Sequence, residues 1–346
     1  MTDKVLVLAG KTLDRAIGAL RAGTLRSRPS GLTRLDPDSC ACAVSDLAEI
    51  NIAPLSRICD ATQSDPLYVA VTAPEKRREV RGFEFSLFPR EFPAGSLREI
   101  SPNILMPSFE CYYLLKAREL DFERELLLGM ELCGRYAHDI PGNPRSRCMF
   151  LVEPICCSED IRSYVERARG IKGVNPAASA ARWLVDDSYS PRESMLALEQ
   201  YLPPRHGGRG YPVPALNPEV AVPPEKRGLT ARDTFKPDIY WDGLLDLEYD
   251  SAYHNDPVQV ERDKARTADV QAIGIPVIQA TKLSLSTCER AELLGRQVGE
   301  ALAAGMGTPM RRKLRRLDDP DLRFGRDALH TRLWRLTAGP RDGAAR

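Results

Sequence analysis

Histidine is scarce in this chain, four in 346 residues, and His138, His206 and His330 show no metal-binding spacing. Nine cysteines (Cys40, Cys42, Cys59, Cys111, Cys133, Cys148, Cys156, Cys157 and Cys288) form no CxxC pair and are odd in number. Most sit in apolar runs such as SFECYYLL and LGMELCG, where a free thiol behaves as a small buried hydrophobe. A zinc site and a disulfide framework are both disfavoured. No apolar run approaches the ~18 residues of a membrane span. The opening MTDKVLVLAGKTLDRAIG also lacks the charged lead, apolar stretch and cleavage site of a secretory signal. The expectation is a soluble, cytoplasmic protein with no membrane partner. Net charge is missing too, since 49 Lys and Arg face 48 Asp and Glu, and no internal repeat is visible.

What is present is unevenly placed. Between Met310 and Arg346 there are eleven Lys or Arg against five Asp or Glu, a local net of +6, which leaves −5 for the rest of a chain whose total is +1. The length suits about two domains. Residues 1–65 give little periodicity. Beyond them, LYVAVTAP and GFEFSLFP read as strands, and PSFECYYLLKARELDFERELLLGMELCGRYA reads as two helices with Asp121 as a cap. This predicts an N-terminal α+β domain over residues 1–150, then a helical linker over 151–182. Residues 183–305 follow in the order helix, possible strand, hairpin, helix, strand, helix. That order predicts an α/β domain with a mixed sheet flanked by helices. Residues 306–346 form a basic C-terminal tail.

The stretch FKPDIYWDGLLDLEYDSAYH carries the most chemistry. It has the spacing of a hairpin, yet it places Asp238, Asp246, Glu248 and Asp250 where strands seldom carry carboxylates. If Ile239, Trp241, Leu245 and Leu247 share the buried face, the loop spans Asp242, Gly243 and Leu244, and Asp238 falls opposite Glu248. Like charges at that separation repel. A hard divalent cation, Mg²⁺ or Mn²⁺, would remove the repulsion; a solvated acidic face is the competing explanation.

KPDIYW, then LEYDSAYH, then RDKARTADVQAIGIPVIQAT resembles the PD-(D/E)XK nuclease superfamily, in particular its very-short-patch-repair-like endonuclease domains. The resemblance covers roughly residues 183–305 and implies a restriction-endonuclease-like fold. It further implies Asp238 and Glu248 as metal ligands, Asp250 as a ligand or its support, and His254 as general acid or base. The superfamily's third motif ends in Lys, and here that position is Asp250. His254, Lys264 or Lys282 would then supply the missing group. The segment ISPNILMPSFECYYLLKARELDFERELLLGMELCGRY is similar to a stretch that precedes such a domain in uncharacterised bacterial proteins; the arrangement loosely resembles the antitoxin of AbiE-type abortive-infection systems, which suggests a protein partner for the N-terminal domain.

Several other residues have two readings. Glu193 follows Ser190-Pro191-Arg192 and is either a capping-box residue or an acid facing the metal. Arg262, Lys264 and Arg266 stud the next helix as a solvated face or as phosphate contacts. RHGGRGYP could wrap a phosphate with backbone amides and Arg209. In the tail, Arg311, Arg312, Lys313, Arg315 and Arg316 suit a phosphate backbone, a helix docked on its own domain, or a disordered segment. The expectation is a metal-dependent endonuclease of bacterial defence or mobile-element type, acting on nucleic acid, DNA ahead of RNA. The alternatives are an inactive nuclease-fold DNA-binding regulator of antitoxin type and a protein whose acidic face binds a basic partner.

Overall fold

The computed structural model describes residues 4–250 and 257–339. The chain divides into two compact units, one covering Met1–Leu184 with Gly339–Arg346 and the other Val185–Ala338. Among the described residues no helix is long and apolar enough to cross a membrane.

The first unit contains strands β1 (Leu6–Leu8), β2 (Arg28–Pro29), β3 (Leu67–Val71), β4 (Phe83–Leu87), β5 (Leu97–Ser101) and β6 (Ile104–Pro107). They form one sheet in the order β2-β5-β6-β1-β3-β4, with β1–β6 and β3–β4 parallel and the other pairs antiparallel. Its helices are α1 (Gly10–Arg21), α2 (Val44–Ala48), α3 (Phe109–Lys116), α4 (Phe122–Leu132), α5 (Ser158–Arg167) and α6 (Val174–Ala181), and a small hairpin pairs β7 (Tyr136–His138) with β8 (Cys148–Phe150). Asp121 caps α4 as expected, its carboxylate accepting from the Arg124 N–H at 2.9 Å. The other end of α4 leaves carbonyls without intrahelical partners. The buried Arg21 donates to two of them, Glu131 and Leu132, and to the Gly134 and Tyr136 carbonyls just beyond, at 2.8–3.2 Å. Residues 151–182, expected to be a linker, instead supply α5 and α6, which pack on α3 and α4 inside this unit.

The second unit opens with α7 (Pro191–Tyr201) and continues through β9 (Ala215–Leu216), β10 (Val220–Ala221), β11 (Thr234–Phe235), β12 (Ile239–Trp241) and β13 (Leu245–Asp250). Helix α8 (Pro257–Ala272), β14 (Val277–Thr281), α9 (Cys288–Met306), α10 (Thr308–Leu317) and α11 (Pro320–Leu336) complete it. The main sheet runs β14-β13-β12-β9, antiparallel except for β13–β14. The hairpin register is the one the buried-face argument requires, with Ile239 opposite Leu247 and Trp241 opposite Leu245. Gly243 makes the odd loop at φ +64°, a conformation side chains resist. Ile239, Leu245 and Leu247 are fully buried, each contributing about 1.5–3 kcal/mol by removal from water.

The opposite sheet face is not solvated. Tyr240 packs with Val270 and Ile273 of α8, and with Val222, Phe235 and Ile275, so α8 covers the face that carries the acids.

The unit also extends past residue 305, where the sequence suggested a tail. Helices α10 and α11 pack on α9, and α11 also packs on α7. Arg326 and Arg209 both pair with the buried Glu292, and His330 Nδ1 meets Glu199 at 2.7 Å. The Arg209 guanidinium lies so close to Gly295 of α9 that any side chain there would collide with it.

Candidate active site

Alternation along β13 puts Asp246, Glu248 and Asp250 on one face, and the ladder places Asp246 beside Tyr240. Asp246 is 2% exposed and Glu248 8%, whereas Asp250 is exposed at the strand's end. The burial of two of these acids removes the solvated-face explanation for them. Asp238, just before β12, turns its Oδ2 onto the Tyr249 N–H at 2.8 Å, a bond across the hairpin that fixes the carboxylate.

Glu193 reaches the same place from α7. Ser190 Oγ caps the helix by accepting from the Glu193 N–H at 3.1 Å. The expected return bond goes one residue further back, because Glu193 Oε1 accepts from the Tyr189 N–H at 3.0 Å. The same oxygen accepts from Asn217 Nδ2 at 2.6 Å, and the Asn217 N–H donates to the Asp238 carbonyl at 3.0 Å. Asn217 sits at φ +48°, which Asn tolerates better than most residues. It thereby ties Glu193 to the start of β12. Glu193 serves the helix start, and the Asp238 charge acts on it.

The electrostatics follow from this crowding. Burial, then the charge of Asp238, raises the Glu193 carboxyl well above the usual carboxylate range. Burial also raises Asp246, against a hydrogen bond to Glu248 and the charge of Arg266. Glu248 is raised by burial and then by Asp238 and Asp246. Among the described residues, Arg266 on α8 lends its positive charge to Asp246 and Glu248; it meets Glu248 Oε2 at 2.5 Å and donates to the Lys236 carbonyl at 3.1 Å. The Asp246 Oδ1 atom is buried and accepts no hydrogen bond among the described residues.

These positions bear on three expectations. The Arg266 side chain is 29% exposed, and its guanidinium is held by Glu248 in this arrangement. Lys264 is exposed on α8; residues two apart on a helix point to opposite sides, so with Arg266 turned to the acids Lys264 turns away. Arg209 is 3% exposed and occupied by Glu292 and the Ala291 carbonyl. The loop around it offers no amides to a phosphate, because the N–H groups of Gly207, Gly208, Arg209, Gly210 and Tyr211 all donate to nearby carbonyls. His254 and the side chain of Arg262 lie outside the described residues.

No protein-family model, curated protein or solved structure matches this chain.

The residues fit a hard cation in donor chemistry, since carboxylate oxygens gather there and one of them, on Asp246, is orphaned. In the arrangement present, no three His, Cys, Asp or Glu side chains among the described residues enclose a metal site. The guanidinium stands where a cation is needed. Sequence reasoning had Asp246 in the acidic run, but it missed Arg266 as the partner of Glu248 and missed Asn217, which nothing local marks.

Proposed function

We propose that the C-terminal unit is a metal-dependent phosphodiesterase of endonuclease type, acting on nucleic acid with DNA ahead of RNA. The observation that carries this reading is the convergence of carboxylates: Asp238 and Asp246 crowd the buried Glu248, the Asp238 charge also acts on the buried Glu193, and Arg266 meets Glu248. The order α7, antiparallel β9–β12–β13, α8 and parallel β14 supports a restriction-endonuclease-like layout. It agrees with the resemblance carried by the KPDIYW and LEYDSAYH segments.

On this reading Asp238, Asp246 and Glu248 hold Mg²⁺ or Mn²⁺, with Asp250 at the exposed end of the same face. The bound ion supplies Lewis-acid polarisation of the phosphodiester and a water of lowered pKa. The chain's own part is positioning. Tyr249 fixes Asp238, and Asn217 with the Tyr189 amide fixes Glu193 beside it. Arg266, once released from Glu248, presents the planar donor set that matches a phosphate. His254 is the candidate proton carrier.

A second reading is favoured by one specific observation, the Arg266–Glu248 contact. If that guanidinium never leaves, the unit is a nuclease-like scaffold that binds nucleic acid without cutting it. The deciding experiment is cleavage of plasmid and single-stranded DNA with Mg²⁺, Mn²⁺ or EDTA, comparing the native protein with Asp238→Asn and Glu248→Gln. The proposed activity requires metal-dependent cleavage that falls about 100-fold or more in both variants, since even supporting groups of a metal site cost 10–100-fold. DNA binding without cleavage in any metal establishes the second reading.

A further inference from the structure

Helix α10 has the sequence TPMRRKLRRL, and its two faces are used differently. Met310 and Leu317 are buried, and Leu314 lies close against Gly299 of α9. Lys313 donates to the Gly210 carbonyl. Arg311, Arg312, Arg315 and Arg316 are all exposed, and their guanidinium groups have no acidic partner among the described residues. At 100° per residue they fall within about 140° of the helix circumference, opposite the apolar side chains. A rise of 1.5 Å per residue sets them within about 7.5 Å along the axis.

Helix stability explains only part of this stripe: Arg315 and Arg316 stand in the last turn, where cations suit the helix dipole. Arg311 and Arg315, like Arg312 and Arg316, are like-charge pairs at the i,i+4 spacing, which destabilises a helix. Arg311 also stands in a first turn that has no acidic residue, where cations oppose the helix dipole. The fold therefore carries the stripe at a cost.

We infer that the exposed face of α10 is a rail for the phosphate backbone of duplex DNA, read without regard to base sequence. The inference deepens the proposed function by assigning a contact surface for its nucleic-acid partner. A helix that lies on membranes inserts its apolar face among the lipids. On α10 that face is already buried against α9, so a lipid surface is the poorer fit. Four guanidinium groups held on one anchored helix match a regular polyanion, and each phosphate neutralised releases counterions.

The test is duplex-DNA binding across a salt series in EDTA, where no cleavage is needed. The native protein is compared with the quadruple variant in which Arg311, Arg312, Arg315 and Arg316 are each replaced by Gln. Four lost phosphate contacts at about 0.9 each reduce the log–log salt slope by roughly 3.6. The double variants Arg311→Gln with Arg315→Gln and Arg312→Gln with Arg316→Gln each give about half of that. Their melting temperatures should equal or exceed the native one, because like-charge pairs are removed. An unchanged slope overturns the inference, as does native protein that binds anionic vesicles but not duplex DNA. A reduced slope in a protein that cuts with no metal upholds the rail and removes the nuclease reading.

Discussion

Two groups of buried charges within the C-terminal unit invite comparison. Around Glu292, two buried guanidinium groups and one exposed one meet a single carboxylate: Arg326 binds it at 2.8 Å from two nitrogens, Arg209 at 3.1 Å, and Arg296 lies at 3.7 Å. The carboxyl is held below its ordinary range because the arginine contacts overcome burial. Around Glu248 the carboxyls are raised, with Arg266 meeting Glu248 while Asp238 and Asp246 crowd it. The first group is complete and joins α9, α11 and the loop after α7. In the second, among the described residues, burial and neighbouring acids outweigh the arginine, which is the condition the proposed function builds on.

Breaking each group separates the two cases. Glu292→Gln strands two buried guanidinium groups and should destabilise the protein by about 3–5 kcal/mol. Its effect on denaturant midpoint should be the same with and without Mg²⁺. If Mg²⁺ rescues that variant, the two groups are not distinct.

Glu125, in the N-terminal unit, sharpens the comparison because it is buried with no cation bonded to it. Neither of its carboxylate oxygens accepts a hydrogen bond among the described residues. Burial raises this carboxyl to about 9, Lys116 offsetting it only in part. A carboxyl raised in the folded state gives stability that is full below its unfolded value, near 4.5, and is lost as pH rises through the folded value. Glu125→Gln should therefore be near neutral at about pH 5 and stabilising by about 1–3 kcal/mol at about pH 8. Urea unfolding at the two pH values measures this, and equal differences at both would remove the account of Glu125.

Much of the C-terminal unit was legible because its strands obey a strict alternation. Ile239, Trp241, Leu245 and Leu247 fixed the register and the odd loop before any coordinates. On the other face the alternation left two explanations open, a bound cation or a solvated acidic face, and the cover of α8 removes the second for Asp246 and Glu248. Arg266 could not be assigned from sequence, because a cation on a charged helix points outward by default and only packing turns it inward. Asn217 was invisible because its role depends on one positive φ in an irregular loop.

The N-terminal sheet was hard to read for a different reason. Strand β1 is three residues long and runs almost directly into α1 at Gly10, with φ +47°, so no turn signal separates them. Of the three readings of the tail, the helix docked on its own domain holds: Met310, Leu314, Leu317, Leu329 and Leu333 seat α10 and α11, although the domain boundary had been drawn before them at residue 305.

The most direct test of the central claim is a calorimetric titration of Mn²⁺ into the native protein, Glu248→Gln and Arg266→Gln. The account predicts saturable binding in the native protein, loss of that binding in Glu248→Gln, and tighter binding in Arg266→Gln, where the competing guanidinium is gone. Mn²⁺ binding that is absent from all three proteins, or the same in all three, would contradict it.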